Sequence, residues 1–197
     1  MLSLDTNIAA FDRSLTRFQR DQMPFAMSLA INATLDDVKR AEERALDRKL
    51  DRPTPFTKRG LGVKRSTKRR LSGAVFFKPI QSAYLEKLER GGTRRPKRSA
   101  IVVPVNQRLN KYGNMSRGAI KRLLAKPNVF SGEVNGVAGI WQRPGRRGGR
   151  LKLLVAYEPK ATYRPQLRFG RDAFRTARRR LVPNMRDAMV RAIATAK

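Results

Sequence analysis

Apolar side chains recur with helical spacing through the first quarter of the chain. Ile8, Phe11, Leu15 and Phe18 step by three, four and three, which places them on one face of a helix. Pro24 interrupts the pattern and either kinks that helix or opens a second one as an early-turn residue. Beyond it Phe25, Leu29, Leu35, Val38, Ala41, Ala45 and Leu46 broadly continue the stripe. Asp36, Asp37, Glu42 and Glu43 alternate with Lys39, Arg40, Arg44 and Arg48, several pairs being three or four apart, which predicts a self-compensated solvated face. The stripe stops at Asp51-Arg52-Pro53-Thr54-Pro55, where two prolines force an extended passage.

The period then shortens. Leu71 to Lys78 reads as a strand, and Ser82 to Arg90 as a short helix capped by Ser82 and ended by Gly91-Gly92. Ala100 to Val105 is a β-branched run whose Pro104 predicts an edge strand or a bulge. A short helix is predicted from Ala119 to Lys126, stopped by Pro127. Val129 to Val134 and Val137 to Gln142 form a predicted hairpin turning at Asn135-Gly136. Leu151 to Tyr157 is a further strand. Residues 170–196 close the chain as a helix with Phe174, Ala177, Leu181, Met185, Ala188 and Ala192 on one stripe and a kink at Pro183. The order predicts an α+β fold, a mostly antiparallel sheet packed by long N-terminal and C-terminal helices. Residues 1–50 form the helical segment and 51–197 the α+β domain with its C-terminal helix, read together as one structural unit.

Charge changes this picture. The chain carries 45 Lys and Arg against 15 Asp and Glu, a net charge of +30. Residues 1–51 hold 8 basic and 9 acidic side chains, whereas residues 52–197 hold 37 basic and 6 acidic. Self-repulsion on that scale opposes compaction unless counter-charge is near, and nucleic acid is the polyanion that fits best. The neutral first quarter suits protein contacts. Three basic loops carry most of the candidate contacts: Lys64, Arg65, Lys68, Arg69 and Arg70; Arg94, Arg95, Lys97 and Arg98; Arg146, Arg147 and Arg150. Each flanks a predicted strand and mixes cations with Gly or Pro, so the backbone can approach a phosphate chain; the plain alternative is solvated surface charge. No aromatic is interleaved in these loops for base stacking, so contacts to DNA would go to its backbone without reading sequence. Trp141, the one Trp, is expected on a core or sheet face, with an interface anchor as the alternative. The stripe Ile8, Phe11, Leu15 and Phe18 is either internal core or a seam between subunits.

Chemistry-bearing patterns are sparse. The chain has no Cys and no His, so disulfides, thiolate metal sites and the usual general base are excluded. There is no Gly-Lys-Ser/Thr phosphate loop, and the carboxylates after the first quarter are only Glu86, Glu89, Glu133, Glu158, Asp172 and Asp187, with no metal-site spacing. The expectation is a protein with no catalytic activity, no cofactor and no metal. No apolar run approaches the roughly 18 residues of a membrane span. Met1-Leu2-Ser3-Leu4-Asp5 lacks the features of a secretory signal.

Asp51-Arg52-Pro53-Thr54-Pro55-Phe56-Thr57, closing the helical N-terminus, resembles a passage of the tail-completion and head–tail joining proteins of tailed bacteriophages, of the minor tail protein Z type. Gly91-Gly92-Thr93-Arg94-Arg95-Pro96, Lys111-Tyr112-Gly113-Asn114-Met115-Ser116-Arg117-Gly118 and Gly139-Ile140-Trp141-Gln142-Arg143 follow in the same order. The resemblance runs from about residue 30 to the C-terminus. It implies a non-enzymatic α+β virion protein, made in the host bacterial cytoplasm and assembled as a ring, a homo-hexamer by the same resemblance, at the neck or top of the tail. Its partners would be other subunits of the ring, neighbouring neck and tail proteins and DNA. A ribosomal or other RNA-binding protein is the competing class, although no signature of the common RNA-binding modules appears. A third is a basic adaptor meeting only acidic protein.

Overall fold

The computed structural model describes residues 16, 20, 22–96, 99–145 and 148–195. Ile8, Phe11, Leu15, Phe18, Lys97, Arg98, Arg146 and Arg147 lie outside the described residues. The element order is α1 (Met23–Lys49), α2 (Pro55–Lys58), β1 (Leu61–Lys64), β2 (Ala74–Phe77), α3 (Pro79–Arg90), β3 (Gly92–Arg94), β4 (Ile101–Pro104), α4 (Ala119–Leu124), β5 (Val129–Val134), β6 (Val137–Gln142), β7 (Lys152–Glu158), β8 (Ala161–Tyr163) and α5 (Phe169–Ala194). The class is α+β, and every strand pairing among the described residues is antiparallel. None of the described helices is long and apolar enough to cross a membrane.

The chain divides into two units, each discontinuous in sequence. The first takes the chain up to Leu46, Pro55–Ser82 and the chain from Arg168; the second takes Asp47–Thr54 and Ala83–Leu167. In the first unit α1 and α5 pack through alanines: Ala26, Ala30, Ala188 and Ala192 form a buried cluster, flanked by half-buried Phe25, Leu29, Met185 and Met189. Small side chains let the two long helices approach closely, with larger apolar residues flanking this cluster, while Val38, Ala45 and Leu46 of the stripe predicted on α1 are buried as expected. The stripe predicted on the C-terminal helix is corrected accordingly. Ala188 and Ala192 are buried, but Phe174 and Leu181 are exposed, and Asn184 is buried in their stead. Pro24 is the second residue of α1, and Arg20 and Gln22 before it already have π-helical backbone. The ribbon β1–β2 completes this unit; Phe77 of β2 meets Phe169 at the start of α5, ring centroids 4.8 Å apart.

The second unit is built on a four-stranded sheet in the order β4-β7-β6-β5, with the two-stranded ribbon β3–β8 beside it in sequence. Pro104 lies on an edge strand, where its missing N–H leaves no ladder bond unmade. The hairpin β5–β6 turns at Asn135 and Gly136, both at positive φ (51° and 76°), as a two-residue primed turn requires. Leu123 of α4 packs with Val129, Ile140, Leu154 and Val155 to form the buried core of the sheet. A register shift falls between Ile140 and Trp141. Just before it, β6 runs so close to β7 that a Cβ on Gly139 would lie 2.3 Å from the Val155 carbonyl oxygen.

Candidate polyanion-contact surfaces

The first basic segment is a strand and a clamped turn, where a basic loop was expected. Lys64 ends β1, and Thr67 to Arg70 then form a tight turn in which the N–H of each end residue donates to the carbonyl of the other at 3.0 Å. The Arg70 N–H also reaches Thr67 Oγ1 at 3.1 Å. Lys68 and Arg69 hold the two central positions. The turn is fastened to α1 by Asn32, whose Nδ2 donates to the Ser66 carbonyl (3.0 Å) while its Oδ1 accepts from the Ser66 N–H (2.9 Å). Ser66 Oγ in turn donates to the Arg70 carbonyl at 3.1 Å. Gly73 allows this approach, since a Cβ there would sit 2.4 Å from Leu35 Cδ1 on α1.

The five candidate cations of this segment are not equivalent. Arg65 is a correction to the expected uncompensated charge: its guanidinium donates twice to Asp36 on α1, at 3.1 and 2.9 Å, and is neutralised there. Arg70 is exposed and turns its Nε to Ser72 Oγ at 3.2 Å. Lys68 places its ammonium over the Phe25 ring, 5.0 Å from the centroid, and stays exposed. Lys64 and Arg69 are exposed with no ion pair among the described residues. The clamp thus presents Lys68 and Arg69 at the tip of a rigid turn and withdraws Arg65.

In the second unit Arg94 stands in β3 opposite Ala161, and Arg95 follows it; both are exposed and unpaired among the described residues. Arg150 is exposed just after Gly148 and Gly149, whose φ values of 77° and 138° give the chain its turn. Trp141 is half-buried on β6 opposite Phe130, and its Nε1 donates to the Val137 carbonyl at 3.3 Å. Arg143, outside the candidate set, lies over the Phe130 ring at 4.6 Å from the centroid. The structure therefore groups Lys64 to Arg70 in one unit and Arg94, Arg95 and Arg150 in the other.

Sequence reasoning missed the cations of α5. Arg171, Arg175, Arg178 and Arg179 line an open concavity of about 540 Å³ together with an exposed Phe174. The available signal was their spacing, one helical turn apart beside an aromatic, which the search for basic loops passed over. Their neighbour Arg180 does something different. Its Nε donates to Asp37 Oδ2 at 2.7 Å, and Asn184 Nδ2 donates to the same oxygen at 3.1 Å and to Thr34 Oγ1 at 3.0 Å. Arg40 closes the network on Asp37 Oδ1 at 2.6 Å. Burial by itself would raise the Asp37 carboxyl, but the hydrogen bonds from Arg180, Asn184 and Arg40 outweigh it and hold the group down at about 2. Lys39–Glu43 and Arg40–Asp37 pair within α1 as expected, while Asp36 and Asp37 also reach Arg65, just after β1, and Arg180 of α5.

Among the described residues, no group of three or more His, Cys, Asp and Glu side chains is placed to hold a metal ion. Comparison with known proteins finds no matching family model, no matching curated protein and no matching solved structure.

Proposed function

We propose that this chain is a structural protein of a tailed-phage virion, placed at the neck or the top of the tail, where copies of it form a ring that completes the tail and joins it to the head. The observation that supports this reading most is the surface of α5, which is basic and apolar at once. Val182, Val190 and Ile193 are 60% or more exposed on the same helix as Arg171, Arg175, Arg178 and Arg179. Exposed apolar side chains in such number gain from burial against another subunit, and exposed cations gain from a polyanion. The rigid turn carrying Lys68 and Arg69 fits the same reading, as a backbone contact to DNA or to an acidic neighbouring ring. The chain would have no catalytic role and would work in the assembled particle.

The test is native mass measurement of the purified chain, alone and mixed with candidate neck and tail proteins. A ring of identical subunits, six by the sequence resemblance, is expected in at least one mixture. A chain that stays monomeric in all of them sinks the proposal. Copurification with ribosomes and not with virions would replace it by the RNA-binding reading.

A further inference from the structure

We infer that the first three turns of α5 are a nucleic-acid contact site, in which Arg171, Arg175, Arg178 and Arg179 take the phosphates of a strand and Phe174 takes the face of an unpaired base. The inference rests on the polyanion partner proposed above but requires nothing of the phage context. Phe174 is 71% exposed and lines one open concavity together with the four arginines, at the edge of their stripe on the helix. Arg175, Arg178 and Arg179 make no ion pair or hydrogen bond among the described residues. Arg171 is paired with the half-buried carboxylate beside it, Nε to Asp172 Oδ1 at 3.3 Å.

Arg171 also stands in the first turn of its helix. The N-terminus of a helix carries partial positive charge, so cations there are disfavoured and anions favoured. Asp172 is the one acid in the first turn. A bound phosphate chain removes that conflict. Arg171, Arg175 and Arg179 follow one another at intervals of about 6 Å along the axis, a spacing that suits successive phosphates on an extended strand. Planar guanidinium forks suit phosphate oxygens. An aromatic set among them adds the stacking platform by which single strands are held without regard to sequence. Arg180, one residue on, is committed to Asp37 and serves the fold, so the four before it are separable from stability.

The experiment uses the full chain with a fluorescein-labelled oligo-dT and with its duplex, reading anisotropy across a salt series. Changing Arg171, Arg175, Arg178 and Arg179 together to Gln should make the log–log salt slope shallower by about 3 on either probe. Phe174→Ala should weaken oligo-dT binding roughly 5- to 150-fold and leave the duplex unchanged. Photocross-linking of wild type to an iododeoxyuridine oligonucleotide should place adducts on the 169–180 segment, a readout independent of how well the quadruple variant folds. Adducts found only elsewhere, or an unchanged slope in the folded quadruple variant, overturn the inference. If Lys68→Ser with Arg69→Ser then reduces the slope, the polyanion reading stands without α5. If wild type binds neither oligonucleotide but binds polyglutamate through the four arginines, the face takes acidic protein: the inference fails and the acidic-ring reading survives.

Discussion

Asp37 is the residue on which the pairing of α1 with α5 is most exposed to pH. Its carboxyl is held at about 2, below the ordinary value of 3.8. A depressed carboxylate contributes stability that is full above the unfolded pKa and is lost as pH falls through the folded one. The loss therefore falls between about pH 4 and pH 2. Urea melts across that window should show wild type losing stability more steeply than Asp37→Asn, whose amide cannot titrate; parallel curves would remove Asp37 from the account. In the second unit, Gly139 carries a different constraint. A methyl group there meets the Val155 carbonyl oxygen at 2.3 Å and Leu153 Cδ1 at 2.8 Å, so β6 and β7 must part. Gly139→Ala should cost roughly 1–3 kcal/mol in a chemical melt, as overpacking does. A neutral result would mean that the two strands separate freely.

At the scale of elements, the turn after β1 depends on a residue far from it in sequence. Asn32 occupies both backbone polar groups of Ser66, and without it those groups lose their partner on α1. Asn32→Ala should destabilise by roughly 1–3 kcal/mol, the cost of leaving such groups unpaired. Amide exchange over Ser66–Arg70 should accelerate in the same variant, because the turn no longer has its anchor. Exchange rates like those of wild type would show that the turn's own hydrogen bonds suffice. The seam between α1 and α5 makes the opposite kind of demand, for small volume. Ala30 is fully buried between Phe25 and Leu29 on its own helix and the α5 alanines. Ala30→Leu should force the helices apart at roughly 1–3 kcal/mol, whereas Val190→Ala on exposed α5 surface should leave the isolated chain's melting unchanged.

At the scale of the whole molecule, charge dominates. The chain carries a net +30, and ion pairs such as Lys39–Glu43, Arg52–Asp51 and Arg90–Glu86 among the described residues are exposed. Self-repulsion of this size is relieved by screening or by a bound polyanion. The melting temperature should rise as sodium chloride is added, and rise further with a short duplex or polyphosphate at low salt. A melting temperature that falls with salt would mean that the ion pairs of α1 outweigh the repulsion.

Much of the fold was legible because it is set by short-range rules. Asn135-Gly136 allows the two positive φ angles of the hairpin, and its register follows from the alternation on either side. Pro104 donates no ladder bond, so it belongs at the edge of the sheet wherever that edge lies. The long helices follow from their spacing. The short strands β1, β3 and β8 carry no such signal: each has three or four residues, and each exists because a partner strand lies beside it. The buried sides of the long helices were legible in part: Val38, Ala45, Leu46, Ala188 and Ala192 of the predicted stripes are buried, whereas Ala26, Ala30 and Asn184 carried no such signal. The candidate site divides in the same way. Net charge and the basic segments are properties of composition, readable before folding. Which cations remain free is decided by contacts such as Arg65 with Asp36 and Arg180 with Asp37, the latter 143 residues apart. Local pattern governs backbone angles and periodicity, but a charge is neutralised only by what the tertiary fold brings within reach, and that is why Arg65 left the candidate surface and the arginines of α5 joined it.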